Sequence, residues 1–209
     1  MIQTQALSFK YKKGQEDFSF PDIALNVNDN LLILGKSGIG KTTLLHLLAG
    51  LLEPTSGKVI INNVDINELS SGKLDKFRGK HIGLVFQKKY AIPSLSVYEN
   101  IKARLFFSKH EVDESQIDAL LNDLGLSEYK NSKPNELSEG QLQRLNIAMA
   151  VVHQPKIILA DEPTSSLDDE NCNAVMELLQ KQAKRTNAIL IVITHDSRIK
   201  ENFQNTIAL

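Results

Sequence analysis

The segment Gly35-Lys36-Ser37-Gly38-Ile39-Gly40-Lys41-Thr42, followed by Thr43, satisfies G-x-x-x-x-G-K-[ST] in full. Each residue type answers a physical demand. Glycines let the backbone curl until successive N–H groups point at one anion, and a helix starting there adds its positive end. Lys41 is long enough to reach terminal phosphates. The Thr42 hydroxyl is a hard oxygen donor suited to Mg²⁺. The chemistry is nucleotide phosphate binding. A second group lies far downstream: Ile157-Ile158-Leu159-Ala160 is an apolar run that ends in Asp161 and Glu162. Ligands of open α/β sheets sit beyond the carboxyl ends of strands. Asp161 is therefore placed to hold a Mg²⁺ shell. Glu162, one residue on and directed differently, suits a general base for water.

Such residues need elements to carry them. Leu31–Leu34 reads as a buried strand before the loop, and Leu44, Leu45, Leu47, Leu48 and Leu51 as the apolar face of a helix after it. Lys58–Ile61, Ile82–Phe86, Ile157–Ala160 and Ile189–Ile193 read as further strands, with the continuous runs typical of a parallel sheet covered on both faces. Leu7–Tyr11, Asp17–Phe20 and Ile23–Val27 read as short antiparallel strands. No strand pattern occurs over Val97–Leu124. There Ile117, Leu120, Leu121 and Leu124 follow helical spacing, and Gly125 reads as a stop. The expected organisation is one domain over 1–209. Its antiparallel part is 1–30, its α/β core 31–89 and 154–209, and its helical subdomain 90–153.

Composition limits the function classes. The chain has 209 residues, 42% hydrophobic and 23% charged, and a net charge of -1. Global disorder and a strongly basic nucleic-acid binder are excluded. The single Cys172 excludes an internal disulfide and a cysteine zinc cluster. No apolar run approaches the ~20 residues of a membrane span, and Met1-Ile2-Gln3-Thr4 lacks a signal-peptide pattern. Lys73, Lys76, Arg78 and Lys80 form the densest basic cluster and read as a solvated face.

Three more stretches narrow the reading: Leu137-Ser138-Glu139-Gly140-Gln141, Glu162-Pro163-Thr164-Ser165-Ser166-Leu167-Asp168, and Ile193-Thr194-His195-Asp196. With Gln87 after Ile82–Phe86, the chain from Tyr11 to His195 resembles the nucleotide-binding subunit of ATP-binding cassette (ABC) transporters. Ser138 and Gln141 also have capping-box spacing. The resemblance implies an α/β P-loop NTPase core with an antiparallel β part and an inserted helical subdomain. It implies Mg²⁺-dependent ATP hydrolysis by a head-to-tail homodimer that sandwiches ATP. In that scheme Tyr11 stacks on adenine, with Phe9 close by and a core role as its alternative. Thr42, Gln87 and Asp161 organise the metal, Glu162 polarises water, and Lys41 and His195 hold the γ-phosphate. Ser138, Gly140, Gln141 and Asp168 serve the ATP of the other subunit.

The sequence departs from the family pattern at Glu139, where glycine is usual, and at Met149, where many members carry a basic residue. A carboxylate is repelled by a γ-phosphate, so Glu139 is expected to point away from the nucleotide. The stretch Gln87-Lys88-Lys89-Tyr90-Ala91-Ile92-Pro93-Ser94-Leu95-Ser96-Val97-Tyr98-Glu99-Asn100-Ile101 is similar to the lipoprotein-releasing and macrolide-exporter branch, as is Leu44–Leu51. The resemblance then implies separate transmembrane permease subunits, docked near Gln87–Tyr98. It implies a peripheral location on the cytoplasmic face of the inner membrane, with a chain that is soluble when isolated, and amphiphilic cargo. No nucleic acid is expected. The alternative left open is a cassette that signals to a division or cell-wall machine without transport. Only 14 residues follow His195, so no added regulatory domain is expected.

Overall fold

A computed structural model describes residues 1–11, 17–88, 90–165 and 167–209. Lys89 and Ser166, which belong to stretches quoted above, lie outside the described residues. Ten strands and six α-helices are described: β1 Ile2–Phe9, β2 Phe18–Ser19, β3 Ala24–Leu25, β4 Asn30–Leu34, α1 Lys41–Leu48, β5 Ser56–Ile61, β6 Val64–Asp65, α2 Ser71–His81, β7 Ile82–Val85, α3 Val97–Ser108, α4 Glu114–Asp123, α5 Glu139–Val151, β8 Ile157–Asp161, α6 Asp169–Arg185, β9 Ile189–Thr194 and β10 Asn205–Ala208.

The strands form two sheets. One is parallel throughout, in the order β10-β4-β9-β8-β7. Its central strands are buried on both faces, as their unbroken apolar runs require. Leu31, Ile33, Leu159, Ile191 and Ile193 face a core shared with α1 and the second sheet. Leu32, Ile158, Ala160, Leu190 and Val192 face a core shared with α3 to α6. Truncating any of these leucines or isoleucines to alanine costs about 2–5 kcal/mol. The sheet therefore fixes its C-terminal edge rigidly, and the candidate acids project from that edge.

The second sheet is antiparallel, with β1 paired to β2, β3 and β5, and β5 to β6. This corrects two expectations. The first strand runs over Ile2–Phe9 rather than Leu7–Tyr11, because a register shift between Gln5 and Ser8, with Ala6 at φ 46°, breaks the alternation along it. The antiparallel part is not confined to 1–30 either. β5 and β6, placed above with the α/β core, belong to it, since β5 buries Val59 and Ile61 against β1. β10, polar and at the sheet edge, was not anticipated.

Span 90–153 holds α3, α4 and α5. α4 ends at Asp123, with Gly125 following at φ 64°. Ser96 and Glu99 close a capping box at the start of α3. The buried Asn100 fastens the preceding loop, accepting from Ile92 N (2.7 Å) and donating to the carbonyls of Ile92, Leu95 and Ser96. α2 has no buried residue, so its basic side chains are a solvated face in large part. Arg78 is tied down, donating to Gly50 O at 2.6 Å and pairing with Asp75.

Candidate functional site

The loop between β4 and α1 lines a cavity of about 790 Å³. Gly40 is the N-cap of α1 and stands at φ 101°. A Cβ there would lie 2.6 Å from Phe18 Cδ1, so both the backbone and the neighbouring ring require glycine. Lys36, Ser37, Gly38, Gly40, Lys41, Thr42 and Thr43 line the cavity with Tyr11, Phe18, Gln87, Glu162 and His195. Gly35 and Ile39 are not among the lining residues. The Ile39 side chain packs over Gly35, 3.0 Å from where a Cβ would be.

Lys41 is buried. Its ammonium donates to the carbonyls of Gly35 (2.7 Å) and Lys36 (3.0 Å) and lies 3.7 Å from Glu162 Oε1. Behind it, the Thr42 hydroxyl donates to Asp161 Oδ2 at 3.0 Å. The other oxygen, Asp161 Oδ1, is buried without a hydrogen-bond partner. Burial pushes the Asp161 carboxyl above its ordinary range. The Thr42 hydrogen bond opposes that shift and the nearby Glu162 charge adds to it.

Asp161 and Glu162 diverge, as adjacent residues at a strand end should. Glu162 leaves the strand at φ 47°, a conformation uncommon for a non-glycine residue and concentrated at functional positions. Its backbone N–H still donates to Ile193 O (2.8 Å), which keeps the turn against β9. Its carboxylate accepts from the Thr194 hydroxyl (2.6 Å), the His195 N–H (3.1 Å) and His195 Nδ1 (2.9 Å). The ends of β8 and β9 thus hold one buried carboxylate at the mouth of the phosphate loop.

Tyr11 is half-exposed. Its hydroxyl is 2.8 Å from Thr43 Oγ1, and its ring meets Phe9 and Phe18 edge-on at centroid distances of 4.7 and 6.2 Å. Gln87 follows β7 and is exposed toward the cavity. The remaining expected residues do not line the cavity. Ser138 caps α5, accepting from Gln141 N (3.3 Å), while Gln141 Oε1 accepts from Ser138 N (2.8 Å). Glu139 is exposed in the first turn of that helix. Asp168 caps α6 by accepting from Asn171 N at 2.8 Å. A Cβ on Gly140 would be 3.6 Å from Asn171 Oδ1, so the two capped helix starts adjoin.

Several contributors escaped the sequence reading. Phe18 lines the cavity from a segment with no motif of its own, and Thr194 binds Glu162 from within the stretch quoted for His195. Thr164 donates to Asp196 Oδ2 (3.3 Å), and the Arg198 guanidinium beside Asp196 holds that carboxyl below its usual range. Gln143 and Asn146 on α5 reach the loops beside Glu162 and Gln87. Their spacing of three was the available signal. Among the described residues no group of three or more histidine, cysteine or acidic side chains could hold a metal ion. The oxygen donors of Thr42 and Asp161 are a different donor set.

Comparisons with known proteins agree with this geometry. A family model described as ABC transporter matches residues 21–165. The chain is 37% identical to the lipoprotein-releasing system ATP-binding protein LolD of Legionella pneumophila (strain Lens), covering 100% of this chain and 94% of that protein. It is also 37% identical to the ABC transporter ATP-binding protein YtrE of Bacillus subtilis (strain 168), covering 95% and 90%. The fold superimposes with a TM-score of 0.89, at 33% identity, on the dimeric ABC transporter cassette MJ0796, covering 100% of this chain and 94% of that one. The same match holds for a post-hydrolysis dimer of that cassette bound to ADP and Pi. The chain therefore belongs to the ABC transporter family, as an ATP-hydrolysing cassette.

Proposed function

We propose that two copies of this chain, arranged head to tail, hydrolyse Mg²⁺-ATP and drive a separate membrane permease that extracts lipoprotein or a similar amphiphile. One observation carries the catalytic part: the Glu162 carboxylate is held by Thr194 and His195 beside Lys41, at the mouth of the phosphate loop. Lys41 and the loop amides bind the phosphates, and Tyr11 and Phe18 offer aromatic surface for the base. Glu162 accepts the proton of the attacking water, and His195 orients Glu162 and faces the γ-phosphate. Thr42 and Asp161, with its unpartnered buried Oδ1, fit an oxygen-seeking Mg²⁺, and Gln87 completes the set. The metal neutralises developing phosphate charge when bound.

Ser138, Gly140 and Gln141, at the capped start of α5, and Asp168, at the start of α6, complete the partner subunit's site. A capped helix start with free N–H groups suits an incoming phosphate. Glu139 turns away from that phosphate. No helix among the described residues is long and apolar enough to cross a membrane. Similarity to ATP-binding proteins of lipoprotein-releasing systems supports action at the cytoplasmic face of the membrane through a separate permease. The lipoprotein assignment rests on similarity to LolD proteins. The test is to tag the Glu162→Gln chain in its native cells, solubilise membranes with ATP and Mg²⁺, and identify what co-purifies. A polytopic membrane protein is expected. Recovery with ribosomes or DNA in the soluble fraction overturns the permease reading.

A further inference from the structure

Gln143 and Asn146 stand three residues apart on one face of α5, and both are 3% exposed. Gln143 Nε2 donates to Pro163 O at 2.9 Å, one residue beyond Glu162. Asn146 Nδ2 donates to Phe86 O at 3.0 Å, one residue before Gln87. Each amide thus grips the backbone next to a residue that lines the nucleotide cavity. Asn146 also lines a groove of about 410 Å³ with Phe86, Tyr90, Arg104 and Phe107. Asparagine is a weak helix former, and a polar side chain buried in a helix interior is unfavourable without a partner. Both positions are therefore specified by the bonds their amides make.

We propose that Gln143 and Asn146 are positioning residues that carry the state of the nucleotide cavity to the N-terminus of α5. Gln87 and Glu162 cannot shift by more than about 1 Å without breaking these bonds or dragging α5 with them. A neutral donor suits the task, because it grips a carbonyl without adding a buried charge. Gln143 lies about one turn, and Asn146 two turns, from Ser138 and Gly140. Motion at the two loops therefore arrives where the proposed inter-subunit ATP contact is made.

The proposal rests on the two-subunit reading above, and its test separates the two. In the Glu162→Gln background, Gln143→Met and Asn146→Leu keep side-chain volume and remove the donors. ATP-dependent dimerisation is followed by light scattering, and ATP binding to the monomer by equilibrium dialysis with labelled ATP. The expected result is monomer affinity within twofold of the parent, and dimerisation needing at least tenfold more protein. In the Glu162 background, kcat falls at least tenfold with KM within twofold. Dimerisation and kcat within twofold of the parent overturn the proposal, as does a parallel loss of nucleotide affinity, which marks a merely structural role. A Glu162→Gln parent that never dimerises with ATP overturns the two-subunit reading and this proposal together. Gln143→Ala and Asn146→Ala, read the same way, serve if the larger replacements do not fold.

Discussion

The Thr42 hydroxyl donates to Asp161 Oδ2 at 3.0 Å, joining the first turn of α1 to the end of β8 across 119 residues of sequence. The contact explains why the phosphate loop and the acid pair act as one site. It also carries a stability cost. Asp161 is buried, its second oxygen has no partner, and its carboxyl is pushed above the ordinary range. For a raised acid, the ionised form is disfavoured in the fold, so the cost is present above the folded pKa and relieved as pH falls. Asp161→Asn removes the charge and is expected to stabilise the nucleotide-free chain by about 1 kcal/mol, roughly 2–4 °C in melting temperature at neutral pH. It should also lower ATP turnover at least ~100-fold. Calorimetry and a phosphate-release assay read both effects, and a melting temperature that falls by several degrees contradicts the account.

Two glycines of the phosphate loop should differ in tolerance. Gly40 combines φ 101° with a ring carbon 2.6 Å from any Cβ, whereas Gly38, at φ 85°, has open space around a Cβ. Gly38→Ala therefore meets only backbone strain, about 1 kcal/mol, and Gly40→Ala adds a clash with Phe18 that raises the cost to about 2–4 kcal/mol. Denaturant titration of the two variants gives the order directly.

Buried His153 predicts acid sensitivity. Burial and the adjacent Arg104 hold its pKa down to about 3, with His110 and His81 adding repulsion. Its Nε2 lies 3.1 Å from Ile82 O and 3.2 Å from the Arg104 guanidinium, between β7 and the helical segment. A base with a depressed folded pKa contributes stability above its unfolded pKa of 6.5 and loses it as pH falls toward the folded value. Stability should thus decline by up to about 2 kcal/mol between pH 6.5 and 5 from this group alone. His153→Gln should flatten that slope in urea titrations across the range, and an unchanged slope removes His153 as its source.

Glu139 occupies the first turn of α5, where an acid complements the positive helix end. Glu139→Gly should leave ATPase activity within a few-fold. A change beyond tenfold, about 1.4 kcal/mol, means that the carboxylate meets the nucleotide after all.

What was legible in the sequence was local. The phosphate loop and α1 follow from residues within one turn of each other, and β8 and β9 from apolar runs that suit a sheet covered on both faces. The capping box at Ser138 follows from spacing alone. What was not legible depended on distant pairing. β1 hid behind its irregular register, β5 joined the antiparallel sheet through β1, and β10 had too little apolar character to stand out. Phe18 completes the site from a short strand whose residue types carry no chemistry by themselves, and the hold of Thr194 on Glu162 depends on β8 and β9 lying side by side. The positive φ of Glu162 is a property of the β8–β9 edge that no spacing announces.

The central claim is that Glu162 is the base for ATP hydrolysis. The direct test is to measure kcat and ATP affinity of Glu162→Gln beside the parent chain. The account predicts that affinity stays within a few-fold, that kcat falls at least ~100-fold, and that an ATP-dependent dimer accumulates. An unchanged kcat removes Glu162 from the catalytic role and contradicts the account.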